Sequence, residues 1–334
     1  MPLSKKALLT LALVAALGVW AEGVGFWRQL PGSPVVGAPG QGLASTGERL
    51  YLAWGQDAQS APQFWAYEPD DQAWTAQSVE GLPAGAFRAG TALAWDGDRY
   101  IYALGGAAPE DLNRRALFRF DLRQRRWVGL AETPHPQGAG NALAWDPFSQ
   151  RLYALLGSER VDSAFARYNP SINRWETLPF PPGWDCTGAG TGLVSLRQFG
   201  VYALQGKCLE RQELGRFAVY NPFRSAWTAL AGLPQAVGAG GSLLWLGEFV
   251  EDQKTFMLAL AGGLSGQPGF AVYRYNLDAN FWFRLVDHTC PPGVYPGNRL
   301  GVVKGTVHFW QGAPADGAFA CGGNALMQLL GITP

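Results

Sequence analysis

Charge is scarce and balanced in this chain. Charged side chains make up 16% of the 334 residues, and 26 lysines and arginines balance 26 aspartates and glutamates. An average globular domain has roughly 25% charged residues. Because the formal net charge is zero, no overall field would attract DNA, RNA or an anionic membrane surface. We therefore expect no nucleic-acid partner.

Common signatures of catalytic and metal sites are also missing. The chain has no HExxH, phosphate-binding loop, Rossmann glycine run or GxSxG sequence. Its four cysteines include no CxxC pair, so the spacing does not indicate a zinc site. The Asp96-Gly97-Asp98 sequence is more typical of a hairpin turn than of a calcium site. We predict neither a metal nor a cofactor.

The N-terminus carries a targeting pattern. Lys5 and Lys6 precede an apolar run from Ala7 to Ala21 that ends in small residues, which predicts a cleaved signal peptide over residues 1–21. The run is shorter than the roughly 20 residues of a membrane span, although an uncleaved anchor remains an alternative. We expect residues 22–334 to be exported, secreted or periplasmic, with no membrane span after cleavage.

Glycine and tryptophan are abundant, and they occur in a repeat. The 44 glycines and 14 tryptophans indicate many turns and large apolar anchors, which favours an all-β protein. An aromatic residue and a tryptophan seven residues apart recur with a short turn between them, as expected for two paired strands. The pairs are Tyr67–Trp74, Phe120–Trp127, Tyr168–Trp175, Tyr220–Trp227 and Tyr275–Trp282.

Each pair completes a unit of four strands. A glycine-rich segment and two apolar strands precede it, and the unit repeats about every 50 residues. Five full units lie between Gly37 and Leu285, and the C-terminal residues add three strands. Trp27 and Leu30 match the missing fourth strand. We therefore predict that an N-terminal strand at about 26–30 pairs as the outermost strand of the last unit and closes a ring.

These features resemble kelch-repeat β-propellers, the superfamily that includes the central domain of galactose oxidase. The resemblance covers residues 27–330 and is carried by apolar runs before the glycine pairs Gly105-Gly106 and Gly262-Gly263, followed by the spaced aromatic and tryptophan. It implies an all-β, six-bladed kelch-type propeller, with one domain over 22–334 and blades over about 37–330. The copper ligands of galactose oxidase have no counterpart here.

The four cysteines favour disulfides in an exported chain. We expect Cys186 to pair with Cys208, and Cys290 with Cys321. In each pair the first cysteine precedes an innermost strand and the second follows the neighbouring strand. Antiparallel pairing would bring those two positions together.

One face of the ring, which we call the mouth, collects the segments before the first strands and the loops after the second strands. Arg88 and Arg299 stand there where other repeats mostly have glycine or alanine, and Trp184 and Tyr295 lie in proline- and glycine-rich mouth loops. Guanidinium groups bind carboxylates and sulfates, and aromatic rings stack on sugars or anchor proteins. We predict these four residues as ligand-binding, although the arginines could instead pair with acidic loop residues and the aromatics could pack.

The sequence favours a monomeric binding or scaffold module, with a glycan or protein ligand at its mouth, over an enzyme. The alternative is a carbohydrate-active enzyme that resembles the kelch-type sialic acid mutarotases of the bacterial periplasm. That chemistry needs an arginine for the sugar carboxylate, a role open to either mouth arginine, and an acid–base group near the ring oxygen. The candidates for the second role are Glu110, Glu210 and His288.

Overall fold

The protein is an all-β propeller. Its structure, a computed structural model, describes residues 26–30, 32, 34–35, 41–55, 57, 59–107, 111, 113–157, 162–208, 215–246, 256–262, 270–288, 299–310 and 326–330. Within these ranges the only helix is a short 3-10 turn at Arg197–Phe199. No helix in the described part of the chain is long and apolar enough to cross a membrane.

Five blades are each built from four consecutive strands in meander order. Blade 1 has β2 (Gly42–Ser45), β3 (Leu50–Trp54), β4 (Gln63–Glu68) and β5 (Ala73–Ala76). Blade 2 has β6 (Ala92–Trp95), β7 (Tyr100–Leu104), β8 (Leu117–Asp121) and β9 (Arg126–Gly129). Blade 3 has β10 (Ala142–Asp146), β11 (Arg151–Leu156), β12 (Ala164–Asn169) and β13 (Arg174–Leu178). Blade 4 has β14 (Gly192–Ser195), β15 (Val201–Leu204), β16 (Phe217–Asn221) and β17 (Ala226–Leu230). Blade 5 has β18 (Ser242–Trp245), β19 (Phe256–Gly262), β20 (Phe270–Asn276) and β21 (Phe281–His288).

We expected six blades, and the structure has five that are each formed by consecutive strands. The remaining sheet differs from these five because it takes strands from both ends of the described chain. It contains β1 (Phe26–Gln29), β22 (Arg299–Val303), β23 (Thr306–Trp310) and β24 (Leu326–Leu330). The strand order is β1-β24-β23-β22, and β1 runs antiparallel to β24. The N-terminal strand therefore occupies the outer edge of this sheet, as the tryptophan–leucine pattern predicted.

The seven-residue interval of the repeat is a hairpin register. In every blade the aromatic residue of the third strand lies directly opposite the tryptophan of the fourth, as in the pair Tyr168 and Trp175. The tryptophan also packs on the preceding blade. Trp127 meets Phe64 edge to face at 5.0 Å between ring centroids, and Trp282 meets Phe217 in the same way at 5.0 Å. The repeat therefore marks the contacts that hold neighbouring blades together.

In blades 2 to 5 the tryptophan is further fixed by a hydrogen bond to the preceding blade. The indole Nε1 donates to the backbone oxygen that lies four residues after the previous tryptophan. The donor–acceptor pairs are Trp127–Ser78, Trp175–Ala131, Trp227–Pro179 and Trp282–Ala231, at 2.7–3.2 Å. A buried indole N–H needs such a partner.

An asparagine strengthens this junction in blades 3 and 5. Asn173 has a φ of 50°, in the left-handed region that asparagine tolerates better than most residues. Its Oδ1 accepts hydrogen bonds from the Tyr168 hydroxyl at 2.7 Å and from the backbone N–H of Ala131 at 2.9 Å. Asn280 repeats the arrangement with Tyr275 and Ala231. Both asparagines stand two residues before the blade tryptophan.

Candidate functional site: the channel and its mouth

The innermost strands β2, β6, β10, β14, β18 and β22 line a channel of about 510 Å³. Its described walls are mainly small and aliphatic, because the inner strands are rich in alanine, leucine and glycine. Tryptophans Trp95, Trp145 and Trp245 stand at the end opposite the mouth, where these strands finish. The channel therefore offers a ligand group a mostly uncharged wall.

Arg299 contributes the only ionisable side chain among the described residues of this lining. It is the first residue of β22 and lies opposite Trp310 in the strand register. Its side chain is partly buried, and desolvation lowers the pKa of the guanidinium to about 10. Arg299 therefore remains positively charged at neutral pH in an otherwise uncharged wall.

Around the mouth, polar side chains just before the inner strands satisfy the backbone. Thr191 Oγ1 donates to the Gly188 oxygen at 2.7 Å and accepts from the Gly206 N–H at 3.2 Å. Asn141 Oδ1 accepts from Gly138 N–H at 3.2 Å. In blades 3 and 4, Asn141 and Thr191 thus tie the segment before the first strand to the residues that follow the second strand.

Asn141 also carries a polar group without a partner. Its side chain is only 3% exposed and belongs to the channel lining. In the described part of the protein, no hydrogen-bond partner is found for Asn141 Nδ2. A buried amide N–H without a partner costs free energy, so this group favours a ligand or water acceptor in the channel.

Arg88 takes a different position from Arg299. Its side chain is 6% exposed and forms an ion pair with Asp111, with 3.1 Å between Nη1 and Oδ2. Its Nε donates to the backbone oxygen of Gly85 at 3.0 Å. The structure thus pairs Arg88 with an acidic loop residue of its own blade and does not place it in the channel lining beside Arg299.

A third arginine, Arg114, joins this cluster and was not predicted. It donates from Nη2 to the Ala86 oxygen at 3.1 Å, and burial, followed by the charge of Arg88, lowers its pKa to about 10. Gly105 makes room for it, because a Cβ there would lie 3.2 Å from two of its guanidinium nitrogens. Two guanidinium groups therefore face one carboxylate, that of Asp111, behind the mouth of blade 2.

The predicted aromatic residues are not brought together in the described structure. Trp184 is 8% exposed and packs in the core between blades 3 and 4, with Phe180 edge to face at 6.4 Å. Tyr295 lies outside the described residues. The same holds for Glu110 and Glu210, and the side chain of His288 is also outside the described part.

A disulfide joins Cys186 to Cys208, as predicted, with 5.7 Å between the Cα atoms. Cys186 precedes the inner strand of blade 4 and Cys208 follows β15, so the bond fastens two mouth segments of one blade. Gln205 adds a hydrogen bond from its Nε2 to the Cys186 oxygen at 2.8 Å. Cys290 and Cys321 lie outside the described residues, and their pairing stays a prediction.

Metal-binding chemistry finds no support in the described residues. They contain no cluster of three or more histidine, cysteine, aspartate or glutamate side chains that could hold an ion. His308 is buried in β23, and its Nδ1 lies 3.0 Å from the Thr306 oxygen. Burial lowers the pKa of His308, so the imidazole is neutral at pH 7 and serves the core.

Comparison with known proteins points to the same architecture. No family model matches the chain. It is 23% identical over 233 residues to the Kelch-like protein terF of Aspergillus terreus, a match that covers 65% of this chain. The match spans about half of that protein's length, 48%. The likeness and the propeller arrangement of the sheets together support a kelch-repeat propeller.

Proposed function

We propose that this kelch-repeat propeller is an exported binding or scaffold module that takes an acidic group of a glycan or protein into the mouth of its channel. The channel carries the proposal, because it is open to a ligand and has one cationic side chain, Arg299, in a largely uncharged described lining. A guanidinium can give charge-assisted hydrogen bonds to a carboxylate or sulfate. The Asn141 amide gives the ligand a second donor.

Arg88, Trp184 and Tyr295 have supporting places in this proposal. The Arg88–Asp111 pair fixes a mouth loop of blade 2, and it leaves Arg88 able to contact a ligand only if that pair opens. Trp184 holds the loop before Cys186 by packing in the core. Tyr295 remains a proposed stacking residue from its place in the sequence.

Arg299 provides the test. We would measure binding of acidic and neutral oligosaccharides on a glycan array, and of acidic and neutral peptides, for the wild type and Arg299→Gln. Loss of a charge-assisted bond should weaken acidic ligands by roughly ten- to hundredfold. Arg115→Gln is a matched control, because Arg115 is exposed and bonds the Pro134 oxygen rather than lining the channel. Equal binding of acidic ligands by all three proteins would refute the proposal.

The described lining favours binding over the mutarotase alternative. It contains no carboxylate and no imidazole near Arg299 that could move a proton at a sugar ring. The alternative rests on the predicted acid–base residues outside the described part. Anomer exchange of N-acetylneuraminic acid, followed by NMR with and without the protein, separates the two functions. Faster exchange would favour the enzyme.

We also infer that the two-ended sheet completes the ring as a sixth blade. β22 lies between β18 of blade 5 and β2 of blade 1 and contacts both. Gly47 bridges Val303 in parallel, and the Lys304 N–H donates to the Gly47 oxygen at 2.8 Å. Trp74 of blade 1 meets Trp310 edge to face at 5.6 Å, much as other blade tryptophans meet the preceding blade.

The indole nitrogen of Trp74 differs from those of the later blade tryptophans. Among the described residues its Nε1 has no hydrogen-bond partner, whereas the corresponding nitrogens of the four later blades have one. The four-residue rule applied to Trp27 points to the backbone oxygen at position 31, outside the described residues. Deleting residues 22–31 should therefore expose the edge of β24 and promote aggregation. A monomeric, equally stable truncated protein would contradict closure by β1.

Export is supported by the disulfide. Disulfides persist in oxidising compartments and are rare in the cytosol of most organisms. The Cys186–Cys208 bond therefore agrees with the signal peptide proposed for residues 1–21. N-terminal sequencing of protein from the periplasm or the medium tests this. Recovery from the cytoplasm alone would count against export, and a first residue at Met1 on exported protein would indicate the uncleaved anchor.

A further inference from the structure

A second pocket, of about 210 Å³, lies on blade 2 at the end opposite the mouth. Three guanidinium groups and one carboxylate line it, so its formal charge is +2. The residues that matter are Arg99, Tyr100, Arg119, Asp121, Arg126 and Val128. This concentration of positive charge stands out in a chain whose formal net charge is zero.

Strand register brings these side chains to one face. Asp121 of β8 lies opposite Tyr100 of β7 and Arg126 of β9, and Arg119 lies opposite Val128. Directly opposite residues share a face of the sheet, and so do residues two apart on one strand. Most of the lining therefore comes from the regular sheet, and the adjoining turns add Arg99 and Gln124.

Arg99 is already compensated within the pocket. Its Nη2 lies 2.5 Å from Asp121 Oδ2, and its Nε also contacts the same carboxylate. The Arg99 guanidinium holds the pKa of Asp121 well below its usual range, so the carboxylate stays ionised at neutral pH. The excess positive charge thus belongs to Arg119 and Arg126.

Blade 3 shows how the propeller neutralises the same position. Arg167 and Arg119 each precede the aromatic residue of the third strand. Arg167 forms an ion pair with the residue across the hairpin, Glu176, at 2.6 Å. Val128 takes the place of that glutamate in blade 2.

Arg119 consequently lacks a carboxylate. In the part of the chain that the structure describes, no ion pair is formed by Arg119. Its guanidinium lies over the Tyr100 ring, with Cζ 4.2 Å from the centroid, and Arg99 lies over the same ring at 5.1 Å. The guanidinium also bonds the hydroxyl of Tyr102, which lies opposite Arg119 in the register, and its remaining N–H donors are oriented for an anion.

Arg126 completes the cationic side of the pocket. Its side chain is exposed, and its Nε donates to Gln124 Oε1 at 3.1 Å. That contact holds the side chain on the pocket and keeps its charge uncompensated. An anion between Arg119 and Arg126 would receive charge-assisted hydrogen bonds from both.

We propose that this pocket is a binding site for the tetrahedral oxyanion group of a phosphorylated or sulfated ligand. The site is distinct from the mouth, and it does not depend on the function proposed there. A tetrahedral dianion matches the excess charge of +2 in the lining. Chloride, with one charge and no directed acceptor oxygens, should compete poorly.

The test is isothermal titration of the full chain with inorganic phosphate and inorganic sulfate at constant ionic strength. We expect saturable binding of one ion per chain, above the response to chloride. Tighter binding of phosphate would assign a phosphorylated ligand, and tighter binding of sulfate a sulfated one. A response no stronger than that of chloride for both ions would overturn the proposal.

Val128→Glu is the decisive variant, because it installs the carboxylate that blade 3 has. The new glutamate should pair with Arg119 as Glu176 pairs with Arg167, so the fold is expected to persist while anion affinity falls roughly ten- to hundredfold. Val128→Gln controls for size and should keep most of the affinity. Arg126→Gln changes an exposed side chain and leaves Val128 in place, and it should also weaken binding.

Arg167→Gln in blade 3 is the matched control and should leave the affinity unchanged. Equal losses for Val128→Glu and Val128→Gln would show that shape rather than charge matters, and would overturn the assignment. A loss in Arg167→Gln as large as in Arg126→Gln would do the same, because it would indicate general charge screening instead of a site.

Discussion

Asn173 offers a sharp test of how the blades are fastened together. We expect Asn173→Ala to lower the free energy of unfolding by about 2–3 kcal/mol. Two hydrogen bonds, from Tyr168 and from the Ala131 backbone, would be lost at about 1 kcal/mol each. The φ of 50° adds part of the roughly 1–2 kcal/mol by which the left-handed conformation disfavours residues with a Cβ other than asparagine and aspartate.

Two other residues make the measurement specific. Ser225 occupies the corresponding position in blade 4 with the same φ of 50°, and its side chain is exposed. Ser225→Ala should therefore change stability by less than about 0.5 kcal/mol. Asn280→Ala, which removes the bonds to Tyr275 and Ala231 in blade 5, should reproduce the loss seen for Asn173→Ala.

Urea unfolding followed by tryptophan fluorescence measures these differences, and Asn173→Gly separates the two causes. Glycine accepts the left-handed conformation but makes no side-chain hydrogen bonds. It should therefore recover only the part of the loss that comes from backbone strain. If Asn173→Ala and Ser225→Ala are equally stable, the asparagine bonds do not contribute to the junction and the reasoning fails.

Three further predictions concern acid and redox sensitivity. Arg99 is the main cause of the lowered pKa of Asp121, so the ionised Asp121 stabilises the fold fully above about pH 4, and this contribution is lost as the pH falls further. Arg99→Gln should therefore be less stable than wild type at neutral pH, and its stability should decline less steeply in acid. Burial lowers the pKa of His308, so stability should begin to fall below about pH 6.5 and His308→Gln should flatten that limb. Reducing Cys186–Cys208, whose cysteines are 22 residues apart, should cost about 3 kcal/mol, with Cys186→Ser/Cys208→Ser as the check that no other bond responds.

Much of the fold could be predicted because the spacing within the repeat reflects how the third and fourth strands of each blade pair. The aromatic of the third strand and its tryptophan must face each other across a hairpin, and that requirement fixes their interval in the sequence. The same reasoning placed Trp27 on an outer strand, and β1 does pair with β24. Pairing of Cys186 with Cys208 followed for the same reason, since both positions are set by the ends of adjacent strands.

The direction of individual side chains could not be predicted from the repeat. Arg88 and Arg299 were both placed at the mouth by their backbone positions. The ion pair with Asp111 and the packing of Arg114 against Gly105 decide where the charges of blade 2 lie, and the repeat does not encode either contact. Trp184 was expected at the surface from the proline and glycine around it, yet the adjacent blades bury it.

The asparagine junction and the blade 2 pocket could be recognised in the sequence only after the strand pairing was known. Asn173 and Asn280 each precede a blade tryptophan by two residues, but other blades have different residues there, so the pattern is incomplete in sequence. Val128 is an ordinary apolar strand residue until it is aligned across the hairpin with Arg119. Its meaning comes from the Glu176 that blade 3 has at the same place.

The two proposed sites take their binding residues from different sheets and lie at opposite ends of the strands, and this separation gives each a control for the other. β7 carries Tyr100 at the pocket end and Leu104 at the mouth end, roughly 13 Å apart at about 3.3 Å per residue. Changes separated by more than about 7–10 Å without shared partners usually act additively. Anion binding at blade 2 should therefore survive Arg299→Gln, and ligand binding at the mouth should survive Val128→Glu. Loss of both from a single substitution would indicate a damaged fold, since neither site supplies a residue to the other.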